Sequence, residues 1–369
     1  MLAKIRKMIL HAKTRMTVLV GMFSLCCTLP NIAQAVPFSE ISQVVFFGDS
    51  LTDSGFNNTF TTAAGIPDKA PTFTTFNGYT WAQYVANDIL GVPLLPPGTL
   101  FPALNDKMTN NTTPLFMDPT KPPFPPPVLL PNGFNYAAGG ARTAEEPGVS
   151  IFYWAPSVAR QVTNYLSTAP QKLDPKAMYF IWSGANDILF GIQEQLNPIA
   201  FMQLIDVTTT QIKEQVEALA ERGAQRIVVL SLPNIGVTPF INGLAVTIGD
   251  PTLPGNIKNL SYMFDSLLKQ KLGTVSKRYK KHHEVKILYF DTYTALDNLI
   301  SNAEAGEPTV VSGIPFLFEN VTSPVCTAPI AILCQQTSNN FLFADGVHPT
   351  DMAHRALSLE VENQIRQWA

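Results

Sequence analysis

Five histidines limit where acid–base chemistry can occur in this chain. His282 and His283 close a basic run, Lys277-Arg278-Tyr279-Lys280-Lys281, and read as a solvated helix end favoured by the helix dipole. His11 lies in a basic N-terminal segment, and His354 falls inside a helical pattern. His348 stands apart, in the turn-like segment Phe343-Ala344-Asp345-Gly346-Val347-His348-Pro349. A tight turn at Gly346 can fold the Asp345 carboxylate back onto the imidazole. That would fix the ring's tautomer and stabilise the imidazolium formed when it accepts a proton. The same spacing also suits a loop Asp that caps the next helix beside a packed His.

A base needs a nucleophile. Ser50 follows a short apolar run in Phe46-Phe47-Gly48-Asp49-Ser50-Leu51, and Ser183 ends another such run. Both are placed where ligands bind in parallel α/β sheets, at the carboxyl ends of strands. If a helical turn starts at Ser50, its free N–H groups favour a developing negative charge. Asp49 and Ser50 read equally well as capping residues for that turn. No G-x-S-x-G occurs, so the nucleophile elbow of the α/β-hydrolases is absent. Oxyanion donors are offered by two segments. Asn135-Tyr136-Ala137-Ala138-Gly139-Gly140-Ala141 ends in glycines whose bare N–H groups can approach a substrate, and Ser183-Gly184-Ala185-Asn186-Asp187 supplies a side-chain amide. Each also reads as a glycine turn with Asx capping.

The elements that must position these residues are legible as alternating patterns. Gln43–Gly48, Met178–Ser183, Arg226–Ser231 and Val285–Phe290 are short, apolar and rich in β-branched or aromatic residues, and Phe134–Ala137 is a shorter candidate. Near-continuous apolarity suits strands buried on both faces. Helical patterns cover Thr80–Leu90, Ser157–Ser167, Pro198–Arg222, Asn256–His282 and Asp351–Trp368, with Gly223 as a helix stop. This alternation predicts an α/β fold with a parallel sheet covered by helices on both faces. Between Pro93 and Pro131 there are twelve prolines, which exclude a helix or a central strand there and predict a polyproline-like insertion. Its apolar members could wall a substrate cleft.

The 369 residues are 46% hydrophobic and 14% charged, enough for a packed core and incompatible with disorder. The first 35 residues carry five basic residues and no acid, so the remainder holds a net charge of −8 against −3 for the whole. Such an acidic body has no electrostatic footprint for nucleic acid or for anionic lipid headgroups. Residues 1–35 read as a signal peptide: a basic start, the uncharged Met16–Leu29 and the small-x-small site Ala33-Gln34-Ala35. A retained N-terminal anchor is the alternative. Export would leave Cys326 and Cys334, which should close into a disulfide in an oxidising compartment. So small a loop stabilises by only about 2.5 kcal/mol in the chain-entropy model, so it should shape a local loop. Two cysteines without ligand-spaced histidines offer no zinc site.

Taken together and in order, Gly48-Asp49-Ser50-Leu51, Gly140, Gly184-Ala185-Asn186-Asp187 and Asp345-x-x-His348 resemble the GDSL (SGNH) hydrolase family. The resemblance runs from about Val44 to the C-terminal helix. It implies a three-layer α/β/α sandwich with a mostly parallel sheet, flavodoxin-like, as one domain over residues 36–369. It also implies an esterase site without metal or organic cofactor. By position, Ser50 matches the nucleophile, His348 the general base and Asp345 its orienting carboxylate. The N–H of Ser50, the N–H of Gly140 and the amide of Asn186 match the oxyanion hole, with Gly139 a neighbouring candidate for the glycine role.

The wording Phe47-Gly48-Asp49-Ser50-Leu51-Thr52-Asp53-Ser54-Gly55 resembles the secreted bacterial branch of phospholipases and glycerophospholipid:cholesterol acyltransferases, and is near that of plant GDSL lipases. The expectation is a secreted serine esterase acting on lipid acyl esters, as a phospholipase A or lysophospholipase, with transfer to a sterol where an alcohol competes with water. Transient contact with a membrane or micelle surface goes with such a substrate. The alternatives are a carbohydrate or aryl acetylesterase of the same fold and, from a different class, a non-catalytic surface-binding protein.

Overall fold

A computed structural model of the chain describes residues 38–56, 72–91, 94, 128–130, 133–149, 155–327, 334–337 and 340–368. The expected signal peptide and nearly all of the Pro-rich insertion lie outside the described residues.

The central sheet is built from β1 (Gln43–Gly48), β2 (Val128–Leu130), β3 (Gly133–Asn135), β4 (Ala177–Trp182), β5 (Arg226–Leu230) and β6 (Lys286–Phe290). Its order is β2-β3-β1-β4-β5-β6. The five strands from β3 to β6 are parallel, and β2 pairs antiparallel with β3 at the edge. The chain adds β3 on one side of β1 and then returns to add β4 on the other. The strand order therefore reverses beside β1, which leaves a crevice at its carboxyl end.

Both faces of this sheet are buried, as the unbroken apolar runs predict. Residues of alternate parity go to opposite sides. Val45, Phe47, Tyr179, Ile181, Ile227 and Val229 pack against α2 (Val158–Thr168), α4 (Pro198–Glu221) and α6 (Leu253–His283). Val44, Phe46, Met178, Phe180, Val228 and Leu288 pack against α1 (Trp81–Leu90) and α8 (Asp351–Gln367). The result is the three-layer α/β/α arrangement. Phe46 stacks on its cross-strand partner Phe180, with ring centroids 4.6 Å apart, and Trp81 meets both rings edge-on.

Helix ends follow the sequence signals. Thr80 caps α1, Ser157 caps α2, and α4 stops before Gly223, whose φ is +99°. The patterns miss three short helices: α3 (Ala185–Gln193), α5 (Pro239–Ile248) and α7 (Thr292–Glu304). Each follows closely on a strand end or its connecting loop, where a short amphipathic stripe is hard to separate from a turn. Also beyond the patterns are the hairpin β7 (Thr309–Val311) with β8 (Ile314–Phe316) and the parallel pair β9 (Asn320–Pro324) with β10 (Phe341–Phe343). Cys326 and Cys334 are joined in a disulfide. No described helix is long and apolar enough to cross a membrane.

Two predictions follow from this framework. A Cβ on Gly184, at the start of α3, would lie 2.4 Å from Phe264 Cζ, and the residue has φ +121°. Gly184→Ala should destabilise the protein by about 2–4 kcal/mol, read as a lower urea midpoint at unchanged slope. The second concerns pH. Burial pushes the Asp265 carboxyl up to about 8, against the lowering effect of the Leu232 N–H, and burial with Asp88 nearby pushes Glu362 to about 8. Between their ordinary and raised values the folded chain holds protons that the unfolded chain has lost. Stability from these groups is therefore present in mild acid and lost as pH rises. Melting temperature should fall on going from about pH 5 to about pH 8.

Candidate active site

The chain leaves β1 through Gly48, and a side chain from the neighbouring helix holds it there. Gln161 of α2 accepts the Gly48 N–H at 2.9 Å and donates to the Gly48 carbonyl at 2.9 Å. A Cβ on Gly48 would meet Thr52 Oγ1 and the Trp182 carbonyl, both at 2.9 Å, so only glycine fits this exit. One helical turn follows at once. The Asp49 carbonyl accepts the N–H groups of Thr52 and Asp53, and Asp49 Oδ1 accepts that of Leu51. Capping is thus the work of Asp49, which leaves the Ser50 hydroxyl for other partners. Burial raises the Asp49 carboxyl to about 7, although the Leu51 N–H and the nearby His348 pull it down.

His348 arrives from the far end of the chain. Asp345 Oδ1 accepts the N–H groups of Val347 and His348 at 2.8 and 2.7 Å, closing the turn at Gly346. The other oxygen, Oδ2, lies 2.7 Å from His348 Nδ1. Opposite it, His348 Nε2 is 2.8 Å from Ser50 Oγ. A carboxylate only accepts, so Nδ1 carries the hydrogen in the neutral ring and Nε2 presents its lone pair to the serine. Burial raises the Asp345 carboxyl, but His348 and the two turn N–H groups outweigh it and leave Asp345 below the ordinary carboxylate range. Phe73 packs 4.9 Å from the imidazole, ring centre to ring centre. The capping alternative for Asp345 fails here, because Thr350 caps α8 through the Ala353 N–H.

The glycine segment after β3 is drawn to the Ser50 turn by Asp53. Its carboxylate accepts the N–H groups of Gly55 and Phe56 on one oxygen and that of Gly139 on the other, at 2.7–2.8 Å. Burial raises Asp53 to about 6 against those donors. The Gly139 N–H is therefore spent. The Gly140 N–H has no hydrogen-bond partner among the described residues, and φ there is +82°. Asp53 itself was visible only as part of the Gly48–Gly55 wording, with no role assigned to it.

After β4, Asn186 sits at the start of α3 and donates from Nδ2 to the Ala141 carbonyl at 2.8 Å, which leaves its second amide hydrogen unspent. Its neighbour Asp187 accepts from the Thr143 N–H and hydroxyl, and Arg142 Nε lies 3.3 Å away. Ser183, the rival serine, is part of this same network: its Oγ lies 2.6 Å from Thr143 Oγ1. It has no histidine partner among the described residues.

Ser50, Asn186 and His348 all line one pocket. Asp345 stands behind the imidazole, and Gly140 lies outside the pocket lining. Beyond the reacting groups the pocket is walled by Trp182, Leu189, Leu296, Leu299, Phe343 and Leu357. A hydroxyl bonded to an imidazole, itself held by a buried carboxylate, can be deprotonated as it attacks a carbonyl.

Comparison with known proteins agrees with this chemistry. The model of the GDSL-like Lipase/Acylhydrolase family matches residues 44–361. A GDSL esterase/lipase of Arabidopsis thaliana is 25% identical over 86% of this chain and 85% of its own length. Lipase 1 of Photorhabdus luminescens is 26% identical over 61% of this chain and 41% of its own. Among solved structures, a carbohydrate esterase described as having divergent catalytic and non-catalytic binding functions aligns at 13% identity. It covers 71% of this chain and 66% of its own with a TM-score of 0.28, too slight a likeness to bear on substrate. With the family model spanning most of the chain, the protein belongs to the GDSL-like lipase/acylhydrolase family of ester hydrolases.

Proposed function

We propose that the protein is an exported serine esterase that hydrolyses lipid acyl esters, with phospholipids or lysophospholipids as its substrates. The observation that carries this reading is the pocket beside Ser50. Beyond the reacting groups its walls are mainly aliphatic and aromatic, with Asn234, Thr238, Thr292 and Glu360 the polar members, which suits a long acyl chain better than an acetyl group. The disulfide fits an exported chain.

The mechanism follows from the geometry. His348 Nε2 takes the Ser50 proton as Oγ bonds to the ester carbonyl carbon, and Asp345 stabilises the resulting imidazolium. The carbonyl oxygen takes up the electron pair and is received by the N–H of Ser50, the N–H of Gly140 and the free amide hydrogen of Asn186. Collapse expels the alcohol, which leaves with the proton from His348. Water, activated by the same imidazole, then releases the fatty acid from Ser50. An alcohol acceptor in place of water would complete an acyl transfer.

Two outcomes are expected. The purified chain should release fatty acid from a long-chain lysophospholipid, and Ser50→Ala should lower that release by about 10⁴-fold or more. Release that survives the substitution would overturn the assignment of Ser50, and cleavage confined to short acetyl esters would overturn the lipid reading in favour of an acetylesterase. Asn186→Ala should lower kcat by about 10²–10³-fold with a smaller change in KM, because an oxyanion donor acts mainly in the transition state.

A further inference from the structure

Glu360 is the one carboxyl in the pocket wall that takes no part in building the Ser50 turn. Ala353, Leu357 and Glu360 are spaced i, i+4, i+7 along α8, so they share one helix face, and all three line the pocket. At 1.5 Å per residue, Glu360 lies about 10 Å further along the helix than Ala353. Leu296 and Leu299 of α7 wall the same pocket. Glu360 is partly buried, neither of its oxygens is sealed from water, and it has no hydrogen bond or ion pair among the described residues. The elements packed against α8 offer it no counter-ion. α1 carries Tyr84 and Asp88, β6 Lys286 and Tyr289, and α7 Tyr293, Asp297 and Glu304, while β7, β8 and β10 carry no titratable group. Asp88 is paired with Arg355, and Asp297 with Lys258. On α8 itself stand Asp351, His354, Arg355, Glu362 and Arg366. None of these groups shifts Glu360, nor do Asp49 and His348 in the pocket: burial alone pushes its carboxyl up to about 7.

An ionised carboxyl tolerates partial burial only while water reaches it. A hydrocarbon chain laid over it removes that water and offers no hydrogen bond in return, whereas the neutral acid loses far less. A chain lying along Ala353 and Leu357 meets Glu360 on the same face of α8. We infer that Glu360 is a specificity-determining residue that makes the binding of a long hydrocarbon chain conditional on a proton, a conclusion that rests on the acyl-esterase reading. The neutral acid lets the chain cover it, and the carboxylate opposes the chain. Covering the ionised group takes up a proton, so affinity for the chain is full below about pH 7 and is lost as pH rises. Short esters that stop before Glu360 escape this dependence. The chain belongs either to the acyl group or to the alcohol, and the two sources can be told apart.

The test follows kcat/KM from mild acid to mild alkali for two pairs of esters. Methyl dodecanoate against methyl butanoate places the extra chain on the acyl side, and dodecyl acetate against ethyl acetate places it on the alcohol side. None of the four esters titrates, and what His348 contributes to the pH profile is common to each pair and cancels in the long-to-short ratio. For the wild type that ratio should be level in mild acid and fall by up to about tenfold per pH unit above about pH 7. The pair that responds identifies the source of the chain. Glu360→Gln, and equally Glu360→Leu, should keep the ratio level throughout. A ratio independent of pH in both pairs for the wild type would overturn the inference. So would a fall that survives Glu360→Gln, which would assign the proton to another group such as Asp49. Calorimetry of dodecanol binding to the Ser50→Ala protein, in two buffers of different ionisation enthalpy near pH 8, reads the same linkage without turnover. Uptake of about one proton that disappears with Glu360→Gln supports the inference, and binding without proton uptake, or no binding at any pH, overturns it. Should the wild type cleave no long ester while dodecanol binds with proton uptake, the lipid reading fails and the role of Glu360 stands.

Discussion

The paired hydrogen bonds between Gln161 and Gly48 govern how the chain leaves the sheet, and the rest of the site depends on that exit. Where an interior strand of a parallel sheet ends, its last N–H and C=O must still be satisfied in a dry environment. Here one amide side chain meets both, and the Ala138 N–H shares the carbonyl at 3.2 Å. The turn that follows can then be short and tightly determined. Thr52 packs back over Gly48, Asp49 ties the turn from within, and the Ser50 hydroxyl lies next to His348. The cost is that no side chain fits at position 48.

Buried acids do much of the local construction. Asp49, Asp53, Asp187 and Asp345 lie close together along the site, and all four are nearly inaccessible to water. Burial alone would protonate them, so each needs donors, and in every case backbone N–H groups supply them. The requirement works in both directions. An acid that must collect N–H groups also fixes the loops that carry them. Asp53 illustrates this: in taking the Gly139 N–H it orients the next peptide, and of the two glycines it leaves Gly140 as the one whose N–H has no partner among the described residues.

Much of this was legible beforehand, and what was not has a physical explanation. The sheet's strands stood out because burial on both faces demands unbroken apolar runs. Asp345 and His348 were readable because their interaction is local, three residues across a glycine turn. Ser50 against Ser183 could not be decided from residue type, since both end strands of similar apolar composition. The difference is that one meets an imidazole nearly three hundred residues away in the chain and the other meets Thr143. Gln161 carries no local signal either, because a polar residue on a helix says nothing about which distant backbone it will reach. The short helices α3, α5 and α7 were hidden because tertiary contacts stabilise them more than their own pattern does.

The separation of Ser50 from His348, 298 positions, bears on biosynthesis. At about 5–20 residues per second, roughly 15–60 s pass between the synthesis of the serine and that of its base. Throughout that interval β1 and its turn exist without an imidazole to activate the hydroxyl. Parallel pairing of β1 with β4 adds delay, since long loops must close before the strands meet. The nascent chain is therefore chemically silent toward esters until its last helix-forming segment is made. An ester hydrolase ordered this way needs no separate inhibitor while it is on the ribosome.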